Sequence, residues 1–352
     1  MTFLKDPASI RSVSSEPPLR VRRIMGSAKE LTLEVLRLLA LYPHEDQALK
    51  KIGVSKEETA ARLCETLPLP GGVLMTADDG RVLQGLLYME PMLGPSAALG
   101  IHAWNLGPLI VAPEAPGNPV EAMLEKSLAA LDAPADFISA RVPSADAGAV
   151  NGLQKSGFEV VSGEAVAVAK PPGPRIPENK AGFEHLDPEH LDAVLDIACD
   201  CVQCNSFACN QGFDRSRVCK FSGLDLKSYI YEKDKNGLVA LDPDGAVIGF
   251  ATYRFDADVK TPPAHGVGSM DQICVSADSQ YVGFERSLGR KVLAELSAGG
   301  VDTVVTKMFL SDANARVESL QKIGFEVTHS NLVLRRWLTD SQPTPYFQKR
   351  IH

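Results

Sequence analysis

The sequence lacks any long apolar run. Its start, MTFLKDPASIRSVSSEPP, has no apolar core of signal-peptide length. The greasiest helical stretch, LTLEVLRLLALY at 31–42, is short and carries Glu34 and Arg37. These absences lead to the expectation of a cytoplasmic chain with no membrane partner. An excess of positive charge is missing too. Lys and Arg number 36 against 44 Asp and Glu, a formal net charge of −8, which argues against nucleic acid or an anionic membrane as the main partner.

A doubled C-x2-C is also absent. There are seven cysteines, an odd number gathered mostly in one half, which reads as reduced thiols and not as a disulfide framework. The stretch CDCVQCNSFAC holds Cys199, Cys201, Cys204 and Cys209, with Cys219 ten residues on. Four thiolates would suit zinc or an iron–sulfur cluster, but C-x-C-x2-C-x4-C is not a doubled C-x2-C. The expectation is free cysteines and no metal.

What is present is a repeat. GLQKSGFEV at 152–160 returns as SLQKIGFEV at 319–327, with seven of nine letters unchanged. Upstream, GVLMTADDGRVLQGLLY (72–88) parallels GLVALDPDGAVIGFATY (237–253), with Gly72 facing Gly237, Gly80 facing Gly245 and Gly85 facing Gly249. ISARVPSADAGAV (138–150) likewise parallels VVTKMFLSDANARV (304–317). Such a unit is the size of a domain, not of a solenoid turn, so the chain reads as a duplicated domain. With 45% hydrophobic and 23% charged residues it can fill two cores. KPPGPRIPENK at 170–180 reads as the linker. The expected organisation is an N-terminal arm (1–19), a first domain (20–170), a linker (171–180), a second domain (181–338) and a C-terminal tail (339–352).

Each half spells the same elements. A short strand precedes an amphipathic helix, whose apolar positions in the second half are Leu191, Val194, Leu195 and Ala198. A second helix follows, opened in the first half by a Ser55/Glu58 capping box. Two strands then meet at an Asp-Gly turn (79–80 or 244–245), a strong hairpin signal. A strand feeding a helix comes next, then a strand, the helix ending in LQKxGFE and a closing strand. The fold class expected is α/β, a mixed and mostly antiparallel sheet flanked by helices in each half.

This ordered pattern resembles the GNAT (GCN5-related N-acetyltransferase) superfamily, in which the LYEKxGFE segment forms the last helix and its turn into a late strand. The resemblance covers both halves, so the chain looks like a tandem GNAT. The second half further resembles dTDP-fucosamine acetyltransferase-like members through NSFACNQGFD…YIYEK and THSNLVLRRWL. The resemblance implies an acetyl-CoA-dependent N-acetyltransferase acting on a small-molecule amine or amino sugar. The alternative is a catalytically silent pair serving as a binding or scaffolding module, and a third reading puts metal sensing on the cysteines. The acceptor, the acyl group and the oligomeric state are not encoded legibly.

The family's phosphate loop, Q/R-x-x-G-x-G/A, falls in VSADSQYVGFERSLGRKVL. It places Val275, Gln280, Tyr281, Val282, Gly283, Phe284, Glu285 and Arg286 around the pyrophosphate, with Glu285 standing where the family has Gly or Ala. By the same resemblance Ile273, Cys274 and Val275 lend backbone to the pantetheine arm, and Asn314 lies one position from the family's Asn, where it caps a helix more readily than it touches cofactor. Asp271 is the carboxylate candidate for a base, and Tyr281 the candidate acid. The family's Tyr, four before the glycine, is Leu320 here and Leu153 in the first copy. The first half has Pro116 and Pro119 in place of the loop's amides and is not expected to hold coenzyme A.

Overall fold

Hairpin chemistry sets the strands, helix caps set the layers above them, and two glycine turns fix where each repeat closes. The computed structural model describes residues 19–44, 50–51, 53–171, 182–200, 213–233, 235–256, 266–276, 283–309 and 313–339.

The first half runs β1 (Arg20–Ile24), α1 (Thr32–Leu41), α2 (Lys56–Thr66), β2 (Val73–Asp78), β3 (Leu83–Pro91), α3 (Leu93–Leu99), β4 (Ala103–Val111), α4 (Pro119–Ala129), β5 (Phe137–Pro143), α5 (Ala147–Lys155) and β6 (Glu159–Ala169). The second runs β7 (Gly182–His185), α6 (Leu191–Asp200), α7 (Arg215–Tyr231), β8 (Lys235–Leu241), β9 (Val247–Asp256), β10 (Gly266–Val275), α8 (Phe284–Ala298), β11 (Val301–Phe309), α9 (Ala313–Gln321) and β12 (Glu326–Trp337). α2 begins with the expected capping box: Glu58 N donates to Ser55 Oγ at 3.1 Å and Ser55 N to the Glu58 carboxylate at 2.8 Å.

Gly157 and Gly324 occupy equivalent turns. Both have positive φ (84° and 101°), a region costly for residues with a Cβ. In both turns two bonds close the helix. Gly157 N donates to Gln154 O and Phe158 N to Leu153 O; Gly324 N donates to Gln321 O and Phe325 N to Leu320 O, all at 3.0 Å. This shared C-terminal lock is the physical reason the chain spells LQKxGFE twice.

The twelve strands among the described residues form one sheet in the order β1-β2-β3-β4-β5-β12-β6-β11-β10-β9-β8-β7. The halves exchange their last strands. β6 pairs with β11 of the second half, and β12 pairs with β5 of the first. The two exchanged strands pair antiparallel at the centre, and their register carries a pseudo-twofold axis. The repeat shift is 167 (319 minus 152). Applied to the pair Ala165↔Ser330 it gives Leu332↔Gly163, which is also a pair, and the pair it maps onto itself is Glu164↔Asn331.

Helices cover both faces, which makes β2 buried at every position. In the first half α1 and α2 pack on Leu74, Leu86 and Tyr88, while α4 and α5 pack on Met75, Leu87 and Met89 on the other face. The second half repeats this with α6 and α7 against Val239 and Phe250, and α8 and α9 against Ala240 and Ala251. The helix α3, not anticipated from the sequence, docks against α7, joining Ala98 and Leu99 to Val218 and Phe221 across the halves.

The cysteines depart from expectation. Cys199 and Cys219, read as reduced thiols, form a disulfide, with Cα atoms 5.1 Å apart. The reason is tertiary: α6 and α7 lie side by side, so residues twenty apart in sequence face each other. Cys274 is disulfide-bonded as well, and Cys64 is free and buried. Cys201, Cys204 and Cys209 lie outside the described residues. Among the described residues no helix is long and apolar enough to cross a membrane.

Candidate active site

In each half the two central parallel strands begin side by side and then part. β4 and β5 pair from Ala103↔Phe137 to Leu106↔Ala140, after which β4 stays on β3 as far as Val111. β10 and β11 pair as far as Met270↔Thr306, where Thr306 Oγ1 donates to Met270 O at 2.8 Å, and β10 then stays on β9 as far as Val275. The parting coincides with a register shift between Met270 and Gln272 in one half and between Leu87 and Met89, opposite β4, in the other. A bulge bends the strand and re-aims its side chains, which is how a continuous sheet opens a cleft.

Asp271 is the bulged residue of the second half. Its Oδ2 accepts from Tyr229 Oη at 2.7 Å and from Arg254 Nε at 2.8 Å, and its Oδ1 accepts from Arg254 Nη2 at 3.2 Å. Three bonds therefore occupy the carboxylate read as a base. Burial and the Asp271 charge hold the Tyr229 phenol well above its ordinary range. Next to it, Gln272 Nε2 donates to Asp225 Oδ2 at 2.7 Å. Tyr229, Arg254 and Asp225 were missed from sequence; the only signal was the YIYEK stretch that contains Tyr229.

Burial first, then repulsion from Asp271, pushes the Asp225 carboxyl up from its ordinary 3.8. A raised folded pKa means that the folded state holds this proton more tightly than the unfolded state. The stabilisation is full below 3.8 and is lost as pH rises through the folded value. Asp225→Asn keeps an oxygen for Gln272 and removes the charge, so it should raise stability at neutral pH and leave it nearly unchanged below pH 3.8. Urea unfolding of both proteins across that range checks this; equal midpoints at neutral pH would refute it.

Beyond the bulge, Ile273 packs toward α8, within a cluster holding Leu288 and Val292, while Cys274 faces α6 and α7. Val275 ends the strand. Gln280, Tyr281 and Val282 lie outside the described residues. Gly283 is the N-cap of α8, with φ 94° and no capping side chain. Phe284 and the half-buried Glu285 follow in the first turn, and Arg286 Nη2 lies 3.5 Å from where a Cβ on Gly283 would sit. Asn314 is the second residue of α9.

The first half is described in full at the matching place. Asn118 caps α4 itself, accepting from Val120 N at 3.2 Å, and its Nδ2 donates to Gly148 O in α5. Pro119 supplies no N–H at the first helical position. The start of α4 is therefore tied to α5. Below it, Tyr42 Oη donates to Asp146 Oδ2 at 2.8 Å, and burial pushes this phenol far up as well. Leu153 and Leu320, at the position of the family's Tyr, are both buried in the cores.

Among the described residues, one group of carboxylates and histidine is close enough to share a cation. It comprises Asp187, Glu189 and His190 and forms the capping turn before α6.

No protein-family model matches the chain, and no curated protein matches it. Solved structures do. A GCN5-related N-acetyltransferase from Sphaerobacter thermophilus aligns at TM-score 0.57 and 16% identity, over 93% of this chain and 96% of that one. A tandem GNAT protein from the clavulanic acid biosynthesis pathway aligns at TM-score 0.53 and 12% identity, over 92% and 100%. A glucosamine N-acetyltransferase region of a fungal multi-domain GH3 β-N-acetylglucosaminidase aligns at TM-score 0.57 and 13% identity, over 91% of this chain and 38% of that one. At these identities the likeness is one of fold, and the fold is that of a tandem GNAT.

Proposed function

We propose that the chain is an acyl-CoA-dependent N-acetyltransferase for a small amine or amino sugar, with acetyl-CoA held by the second half. One contrast carries the reading. α8, the next helix after the strand that parts from β11, starts from a glycine and has no capping side chain among the described residues, whereas α4 starts from Asn118 and Pro119 and is closed on itself. A helix N-terminus without its own cap suits a pyrophosphate; one already capped does not.

When bound, acetyl-CoA would supply an activated thioester. Its phosphates would lie at Gln280–Arg286 and its pantetheine arm beside Ile273, Cys274 and Val275. The acceptor nitrogen forms the new bond to the acyl carbon, the carbon–sulfur bond breaks, and the thiolate takes a proton, for which Tyr281 is the proposed donor. Asp271 is the proposed acceptor of the amine proton. Its contact with the Tyr229 hydroxyl supplies a partner through which that proton can pass, and Arg254 steadies the charge. The two halves are proposed as separate cofactor-binding and non-cofactor units within the shared sheet, 181–338 and 20–170.

The silent-pair reading has one specific support, the burial of Leu153 and Leu320 where the resembling family carries a hydroxyl. Thermal-shift titration with acetyl-CoA separates the outcomes. A ligand that binds only the folded chain at 100 times its Kd adds about 2.7 kcal/mol. The expected result is a saturable rise in melting temperature, with slow release of free thiol once an accepted amine is added. No rise at millimolar acetyl-CoA would overturn the proposal; a rise without thiol release from any amine would favour the silent pair.

A further inference from the structure

The first half keeps a cavity that its missing cofactor loop leaves without an assignment. It is a half-open pocket of about 290 Å³ between α1, α2, β4 and β5, and the exchanged strand β12 completes its wall. We propose that this cavity is a binding site for a small monoanionic amphipath, a carboxylate on a short apolar body, separate from the acetyl-CoA site.

The lining is divided by chemistry. Leu39, Leu63, Leu109 and Ile110 supply an apolar floor, and Lys56 and Arg141 bring cationic groups to it. Among the described residues no carboxylate lines the cavity. Arg141 Nε donates to Glu164 at 3.0 Å, and Glu164 is 2% exposed, so that pair is close to neutral as a unit. The guanidinium keeps its other N–H groups, which have no protein acceptor among the described residues. Lys56 Nζ donates to Leu39 O at 2.9 Å, and no carboxylate pairs with it among the described residues. One positive charge thus faces the cavity without a countercharge among the described residues, beside guanidinium donors suited to a carboxylate. Asp146, which accepts from the lining residue Tyr42 through Oη, also accepts from Ala149 N and stands 4.0 Å from His44.

The size agrees. At about 30 Å³ per water-sized group, the cavity holds roughly ten such groups, the length of a medium-chain carboxylate. The site also needs both ends of the chain. Asn331 reaches it from β12 and donates to Glu164 Oε1 at 3.4 Å, so the strand exchange builds it.

Octanoate is the probe, with octanol as its uncharged counterpart, and isothermal titration of the full chain is the readout. Wild type should bind one octanoate, octanol at least about tenfold more weakly. Lys56→Gln should weaken octanoate by about tenfold and leave octanol unchanged, as the loss of one charge-assisted bond of about 1.4 kcal/mol would do. Thr59→Trp, which fills the cavity from α2, should abolish both while acetyl-CoA still raises the melting temperature of both variants as it does that of wild type. Equal affinity of wild type and Lys56→Gln for octanoate, binding that survives Thr59→Trp, or no binding to wild type would each overturn the proposal. Because acetyl-CoA is titrated separately, its failure would count against the function above and not against this site.

Discussion

Arg141→Met should lower the unfolding free energy by about 3 kcal/mol, whereas Glu164→Gln, the opposite half of the same pair, should cost far less. The two side chains are bonded to each other, yet their surroundings differ. Glu164 is 2% exposed and the Arg141 side chain is 32% exposed. Removing the arginine strands a carboxylate in the interior, and an uncompensated buried charge costs about 3–5 kcal/mol; the lower end applies here because Asn331 still donates to Glu164 Oε1. Removing the glutamate charge leaves a guanidinium that water can reach, worth about 1 kcal/mol or less. The double variant Arg141→Met with Glu164→Gln should therefore recover most of the loss. Guanidinium unfolding of the four proteins measures it; similar losses for the two single variants, or no recovery in the double, would show that the pair is not governed by desolvation of Glu164.

The position of that pair explains what a repeat hides. Glu164 and Asn331 are repeat equivalents and face each other on the pseudo-twofold axis, so one sequence position became an acid in one copy and an amide in the other. Two carboxylates meeting there would repel in the interior; an acid facing an amide, with Arg141 beside it, satisfies both.

Apart from α3, the order of elements was legible, as were the Ser55/Glu58 cap, the Asp-Gly hairpins and the two LQKxGFE turns, because each is a local contract between neighbouring residues. The exchange of β6 and β12 was not. The two closing strands descend from one sequence, and each finds a near-equivalent slot in either half, so no local pattern distinguishes pairing at home from pairing across. The candidate site divides in the same way. That a strand runs through 273–275 and that a helix opens at Gly283 could be read along one stretch. Tyr229 and Arg254 meet Asp271 from 42 and 17 residues away, and the first-half cavity draws on five elements, including a strand from the far end of the chain.

Glu285→Gly should tighten acetyl-CoA binding by a few-fold up to about thirty-fold, although the change weakens the helix that it sits in. The amides at the start of α8 and the dipole of that helix favour an anion. Glu285, half-buried in the first turn, places its own carboxylate in the same field, and charges at a helix terminus are worth about 0.3–2 kcal/mol. Arg286, folded back near Gly283, offsets part of this, which sets the effect below that of a bare acid. Glycine at position 285 costs up to about 1 kcal/mol of helix propensity, a loss that falls on stability and not on affinity. Gly283→Glu should act the other way for two reasons: it adds a second carboxylate, and it forces a side chain onto a backbone held at φ 94°. Gly283→Ala, which carries the backbone strain without the charge, separates the two. Gly117→Ala, at the corresponding loop of the first half, meets the same kind of strain at φ 67° and should leave acetyl-CoA affinity unchanged. Calorimetric titration of the four variants decides the matter: unaltered affinity for Glu285→Gly, or a loss confined to Gly117→Ala, would move the cofactor to the first half.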